Sequence, residues 1–257
     1  MSSSDSLPTG TGTAARAEVA AFGTLEQQVG LNHALVQALA TTAEPGESGQ
    51  HIHRIQQYVR VLARHLCQAQ PYASLWPDDM LDVLVRASAL HDIGNCAVPD
   101  RILLKPGALT AEELDMVRSH AVIGRDMIDQ IQRSAGAPSA FLGIARQIAY
   151  GHHERWDGQG YPQGLAGEAI PAPALVMAVA DTYDALTSNR VYRAAITHDK
   201  ALQRLFHERG EQFAPDMVDA LIEVQHEFAD IARRFADTET DLQRQIDYLA
   251  RAIAETP

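Results

Sequence analysis

Apolar residues recur along this chain at intervals of three and four, the helical period, with few interruptions. Leu25, Val29, Leu35, Val36 and Leu39 mark a first helix, and Ile52, Ile55, Val59, Leu62 and Leu66 form the clearest apolar stripe. Pro77, Asp78 and Asp79 open a third helix: proline fits the first turn, and acids complement the positive end of the helix dipole. Gly94 is expected to close it. A loop, NCAVPDRILLKPGAL, follows. Thr110 with Glu113 gives a capping-box signature for a helix predicted to carry His120. Phe141, Ile144, Ala145 and Ile148 lead helically into His152-His153. The next segment, RWDGQGYPQGLAGEAIP, has four glycines and two prolines and reads as a loop. A helix beginning near Pro173 carries Asp181 and Asp184, Pro215 opens a later one, and Leu242, Ile246, Leu249 and Ile253 form a seam near the end. No stretch alternates with the period of a strand and no segment repeats, so the predicted fold is all-α, a compact helical bundle.

Composition refines this picture. With 257 residues, 46% of them hydrophobic, the chain can bury a sizeable core. Residues 1–20 are rich in Ser, Thr and Gly and read as a flexible tail, 21–44 as an N-terminal helix, 45–225 as the main domain and 226–257 as C-terminal helices. The longest apolar stretch, Ala172 to Ala180, is too short for a membrane span, and the N-terminus has no signal-peptide core. The expected location is cytoplasmic. Cys67 and Cys96 lack metal-ligand spacing and are expected to be reduced, buried thiols. The net charge of −12 argues against binding DNA or an anionic membrane surface. An anionic substrate would need local positive charge, which bound metal ions could supply. The C-terminal seam is expected to pack on its own domain, with a homodimer as the alternative.

The candidate chemistry lies in the histidines and acids. Glu47, His51, His91-Asp92, His120, His152-His153 and Asp181 form an inventory of nitrogen and oxygen ligands with almost no sulfur. Such a set suits divalent iron or manganese better than structural zinc. Adjacent side chains on a helix diverge by roughly 100°. One metal rarely takes both rings of a His-His pair, whereas two neighbouring metals can take one each. A multinuclear centre of this kind is suited to cleaving phosphate esters.

These residues sit inside longer strings: ESGQH at 47–51, HDIG at 91–94, VPDRILLKPGALTAEE at 98–113, HHERWDGQGYP at 152–162 and VADTYDALTSNRVYR at 179–193. On them the chain resembles the HD-GYP family, a branch of the HD phosphohydrolase superfamily, over about residues 45–225. The resemblance implies a helical bundle of HD-domain type with a five-helix metal-binding core. It also implies two or three divalent metals, commonly iron or manganese, and hydrolysis of cyclic di-GMP to pGpG or GMP.

Carried over residue by residue, it implies His51, His91, Asp92, His120, His152, His153 and Asp181 as metal ligands, with Asp92 bridging two metals and, with His91, central to catalysis. Glu47, four residues before His51, is either a ligand of a third metal or a solvated acid in the preceding turn. Gly158, Gly160, Tyr161 and Pro162 form the namesake loop; Tyr161 either contacts substrate or packs structurally, and family members also use this loop to contact other signalling proteins. Asp184 is expected to touch a guanine edge or a metal-bound water. Arg190 and Arg193 suit phosphate contact or base stacking.

Two positions depart from the family pattern: Asn95 replaces the Lys of HDIGK, and Val191 replaces a Pro. That Lys is expected near the scissile phosphate, and Asn95 keeps a hydrogen-bond donor but no charge. The leading expectation is therefore a metal-dependent cyclic di-GMP phosphodiesterase. The alternative, resting on Asn95, is a catalytically weak module that senses cyclic di-GMP or docks partners. A third reading, a phosphohydrolase of other nucleotides, is disfavoured by Arg190, Arg193 and the GYP loop.

Overall fold

A computed structural model describes residues 25–73, 75–189 and 193–254, and every regular element among them is a helix. α1 (Leu25–Ala43) and α2 (Gly49–Leu66) are followed by α3 (Asp78–Ala87). Two 3₁₀ turns, Ser88–Leu90 and Ile93–Ala97, flank His91-Asp92. Then come the short α4 (Asp100–Leu103), α5 (Ala111–Arg118), α6 (His120–Ala135) and α7 (Ala140–Gly151). A long loop leads to α8 (Ala172–Thr187), and α9 (His198–His207), α10 (Pro215–Glu223), α11 (Gln225–Arg234) and α12 (Glu239–Ala254) complete the chain.

Five helices pack into the core: α6 on α7, α7 on α3 and α8, and α2 on α3 and α8. The apolar stripe of α2 is buried as its spacing predicts; Ile52, Ile55, Val59 and Leu62 are almost fully enclosed. α8 lacks a polar face over Pro173–Ala180 because it runs through the middle. Tyr58, Tyr183 and Phe228 tie α2, α8 and α11 together, with ring centroids 4.6–5.2 Å apart.

Several boundaries differ from expectation. The third helix does not run to Gly94: it ends at Ala87, and the chain bends at Asp92 (φ −107°, ψ 18°). The segment predicted as one loop after it contains α4. The capping box at Thr110–Glu113 forms as predicted, but its helix stops at Arg118, and His120 begins a new one. In α1 the inward face is Val36, Ala40 and Ala43, while Leu35 and Leu39 point outward, 53% and 56% exposed. In α12 the inward residues are Gln245 and Leu249, and Ile246 is 46% exposed. The Ile253 side chain lies outside the described residues, as do the tail at 1–20, Arg190 and Val191. Both cysteines are free, but Cys67 is only half-buried and Cys96 is exposed, so neither is the enclosed thiol expected. No helix among the described residues is long and apolar enough to cross a membrane.

Candidate metal centre

Four of the five core helices deliver their ligand candidates from near an end or a break, whereas Asp181 stands within α8. His51 stands in the first turn of α2, His91-Asp92 in the bend after α3, His120 at the start of α6, and His152-His153 just past α7. Gly94 makes this convergence possible. A Cβ there would lie 2.0 Å from the His120 carbonyl oxygen and 2.6 Å from the Gly124 nitrogen. Only glycine lets the Asp92 bend sit against the first turn of α6.

Two clusters result. In the first, Asp92, His120, His152 and His153 bring one ligand atom each within 4.8 Å of one another. In the second, Glu44, His51 and His91 do the same. The imidazole of His91 joins them, 5.5 Å by ring centroid from both His51 and His152.

The ring orientations favour metal. Nδ1 of His91, His120 and His152 faces the backbone carbonyls of Ser88, Val117 and Ile148 at 3.1, 2.6 and 2.9 Å. A carbonyl only accepts, so each Nδ1 carries the proton and Nε2 holds its lone pair toward the cluster. Nδ1 of His51 is likewise held, by Asp184 at 2.8 Å. Nε2 of His120 and of His152 each then lie 3.2 Å from Oδ1 of Asp92. These are acceptors facing an acceptor in a buried space. Asp92 Oδ1, His120 Nε2, His152 Nε2 and Glu44 Oε1 are all enclosed without a hydrogen-bond partner. Orphaned groups of this kind are costly unless a cation satisfies them. The donor set therefore fits divalent metal ions.

Electrostatics agree. Burial alone would raise the Asp92 carboxyl, but His91, His120 and His152 hold it well below the usual carboxylate range. Burial would lower His51, yet Glu44 and Asp184 raise it well above an ordinary histidine. His120 is raised against burial by Asp92. Burial and His152 push His153 far down, which keeps its lone pair free at neutral pH. Where the rings are raised, protons and metal ions compete for the same Nε2 atoms.

Surrounding residues hold these ligands in place. Asn95 donates from Nδ2 to Asp92 Oδ2 at 2.8 Å and so fixes the carboxylate. Asp184 is completely buried behind His51; Arg54 also grips it, through Nε to Oδ1 at 2.5 Å and Nη2 to Oδ2 at 3.1 Å. Against the burial that opposes ionisation, His51 and Arg54 bring Asp184 down to about 2. Tyr161 stacks on His153 with centroids 4.8 Å apart, under the guanidinium of Arg118. Its loop is tied down by Glu154, which accepts from the amides of Gln163 and Leu165 at 2.7 and 3.0 Å. A Cβ at Gly160 would lie 2.3 Å from the Arg155 nitrogen, so only glycine lets the loop fold back here. The peptide bond between Tyr161 and Pro162 is cis.

Both clusters open on one cavity of about 270 Å³, lined by Glu44, Glu47, His51, His91, Asp92, Asn95, His153 and Asp181 among others. The structure thus brings most of the sequence-derived ligand candidates together. Asp181 stands half-buried on the cavity wall rather than in either tight cluster. Glu47 is also on the wall, but the carboxylate packed on His51, at 3.0 Å, is that of Glu44. Asp184 and Tyr161 stand behind histidines, and neither they nor the exposed Arg193 are part of the cavity lining. Glu44, Arg54 and Glu154 were not anticipated. Glu44 precedes His51 by seven residues but lies in the turn between α1 and α2, so helical periodicity does not relate the two.

The HD domain sequence profile matches residues 20–217. The chain belongs to the HD domain family. Its HD domain is 42% identical over 212 residues to a probable cyclic di-GMP phosphodiesterase of Vibrio cholerae, covering 82% of this chain and 48% of that protein. It is 44% identical over 200 residues to a cyclic di-GMP phosphodiesterase of the same organism, covering 78% and 40%. The chain thus spans less than half the length of these two relatives. A crystal structure of a cyclic GMP-AMP-specific phosphodiesterase of V. cholerae shares the fold, with a TM-score of 0.50 at 16% identity over 86% of this chain and 59% of the other.

Proposed function

We propose that this HD domain is a metal-dependent phosphodiesterase that hydrolyses cyclic di-GMP to pGpG or GMP. The observation that carries the reading is the pair of His/acid clusters, with orphaned ligand atoms, opening on one cavity. The cyclic di-GMP phosphodiesterases among its relatives support the choice of substrate.

Divalent ions, iron or manganese by donor chemistry, would supply Lewis-acid charge and an activated water at neutral pH. Asp92, His120, His152 and His153 would hold one part of the centre, and Glu44, His51 and His91 the other, with Asp181 and Glu47 on the wall between ligand and substrate roles. In this reading Asp92 would be the carboxylate shared between the two parts. Asn95 restricts its rotation. The Nδ1 atoms of His51, His91, His120 and His152 face carboxylate or carbonyl partners, so each Nε2 would be free to hold a metal. The GYP loop supports His153 through Tyr161 and remains the candidate face for other signalling proteins.

A second reading, a cyclic di-GMP sensor with weak turnover, draws on Asn95. Its amide is spent on Asp92 and brings no positive charge to the cavity. The discriminating experiment is turnover by anaerobically purified protein loaded with Fe(II) or Mn(II), with cyclic di-GMP, pGpG and cyclic GMP-AMP tested in parallel. Cleavage of cyclic di-GMP supports the enzyme. Tight binding without cleavage at full metal occupancy supports the sensor.

A further inference from the structure

One wall of the metal cavity comes from outside the five-helix core. Gln245 and Leu249 of α12 line it, 6% and 9% exposed. The Gln245 amide oxygen is enclosed without a hydrogen-bond partner, so a polar group of α12 is sealed in at the cavity. With α12 in place the space is about 270 Å³. Pockets for drug-sized ligands measure about 300–1,000 Å³, and a cyclic dinucleotide belongs to the upper part of that class. The cavity as formed is smaller than that, so α12 limits how much of the substrate proposed above can enter.

α12 is also anchored at its start. Its start is firm: Arg54 Nη1 donates to Phe235 O and to Asp237 Oδ1, each at 2.9 Å, and the Ser48 hydroxyl bonds to Asp237. Thr238 and Asp241 then cap the helix reciprocally. Beyond that point, the Tyr248 hydroxyl reaches Asp100 of α4, and Leu249 is the apolar side chain buried at the cavity. Ile246, one turn earlier, is 46% exposed. A fixed hinge at 235–238 carries a helix that presents Gln245 and Leu249 to the cavity.

We propose that α12 is a lid that sets the size of phosphate ester reaching the metal centre. Seated, it leaves room for a small diester. A cyclic dinucleotide enters when α12 swings out about the hinge, and the closed population raises its apparent KM. The inference rests on the phosphodiesterase reading, and the test separates the two.

Three metal-loaded proteins are compared: the full chain, a chain ending at Asp237, and Tyr248→Phe. Each is assayed on cyclic di-GMP and on the small diester bis(p-nitrophenyl) phosphate. A closed state favoured by about ten to one predicts a KM for cyclic di-GMP lowered about tenfold by truncation, and by about two- to threefold in Tyr248→Phe. The small diester's kcat/KM should change by less than about twofold in both. Unchanged KM for cyclic di-GMP overturns the lid, and so do parallel changes with both substrates, which would make α12 a support of the centre. If every form cleaves the small diester and none cleaves cyclic di-GMP, the substrate reading falls. The size filter falls with it, because removing α12 has then admitted nothing larger. Tyr248→Phe decides the matter if the shortened chain does not fold.

Discussion

The two ligand clusters are built by different means. The Asp92, His120, His152 and His153 cluster is set by backbone. Two of its rings, His120 and His152, are oriented by main-chain carbonyls, and its helices meet because Gly94 has no side chain. The Glu44, His51 and His91 cluster is set largely by side chains. His51 is held by Asp184, Asp184 by Arg54, and Arg54 also by Asp237 and Phe235 at the root of α12. Glu44 itself lies in a turn. The first cluster should thus be as rigid as the fold. The second should be adjustable and linked to the C-terminal segment, because each support can be changed without moving a helix.

The sharpest break in that comparison is Asp184→Ala. It leaves the Arg54 charge buried with Asp237 as its remaining carboxylate partner, and losing one member of such a pair costs about 3–5 kcal/mol. Thermal unfolding should register the loss, and metal content should fall more at the second cluster than at the first. Acid should act on the same residue. Its folded value of about 2 lies below the usual carboxylate value of about 3.9. Its stabilisation is therefore complete above about pH 4 and is lost as pH falls toward 2, amounting to about 2–3 kcal/mol. Asp184→Asn should flatten the stability–pH curve in that window.

Gly94→Ala tests the first cluster. The new methyl meets backbone rather than a flexible side chain, so about 3 kcal/mol of destabilisation is expected. At about 2–4 °C per kcal/mol for a chain of this size, Tm should drop by about 6–12 °C. A folded Gly94→Ala protein with full metal content would show that the close approach is not needed.

Asn95→Lys has a smaller effect, seen in turnover. A charge beside the scissile phosphate should raise kcat for cyclic di-GMP by about ten- to a hundredfold. The offsetting risk is loss of the hydrogen bond that steadies Asp92, which would show as weaker metal retention. Smallest of all, Glu44→Gln should lower occupancy at the second cluster while the fold and the first cluster stay intact. Glu47→Gln should retain that metal, with its effect confined to substrate. The reverse order would make Glu47 the ligand, as its spacing from His51 suggests.

Regularity decided what could be read from sequence. Helical period located α2 and α7, Pro173 marked the start of α8, and the Thr110–Glu113 box marked the start of α5. The HDIG and HHERWDGQGYP strings singled out residues that converge at the cavity. The missed features depend on distant packing. The break at Asp92 and the restart at His120 follow from the contact of Gly94 with α6, which no local pattern encodes. Glu44 reaches His51 through a turn, and Asp184 turns inward to His51 and Arg54 rather than toward the cavity. In α1 and α12 apolar residues lie on more than one face, so periodicity named the helices but placed their buried faces only in part.

The central claim is that the two clusters form one multinuclear centre. The most direct test is to load the full chain anaerobically with Mn(II), count metal per chain, and locate the ions by anomalous scattering in crystals. The account expects about two or more equivalents, with one ion among Asp92, His120, His152 and His153 and another beside Glu44, His51 and His91. A fully loaded protein holding a single ion, or ions outside both clusters, would contradict it.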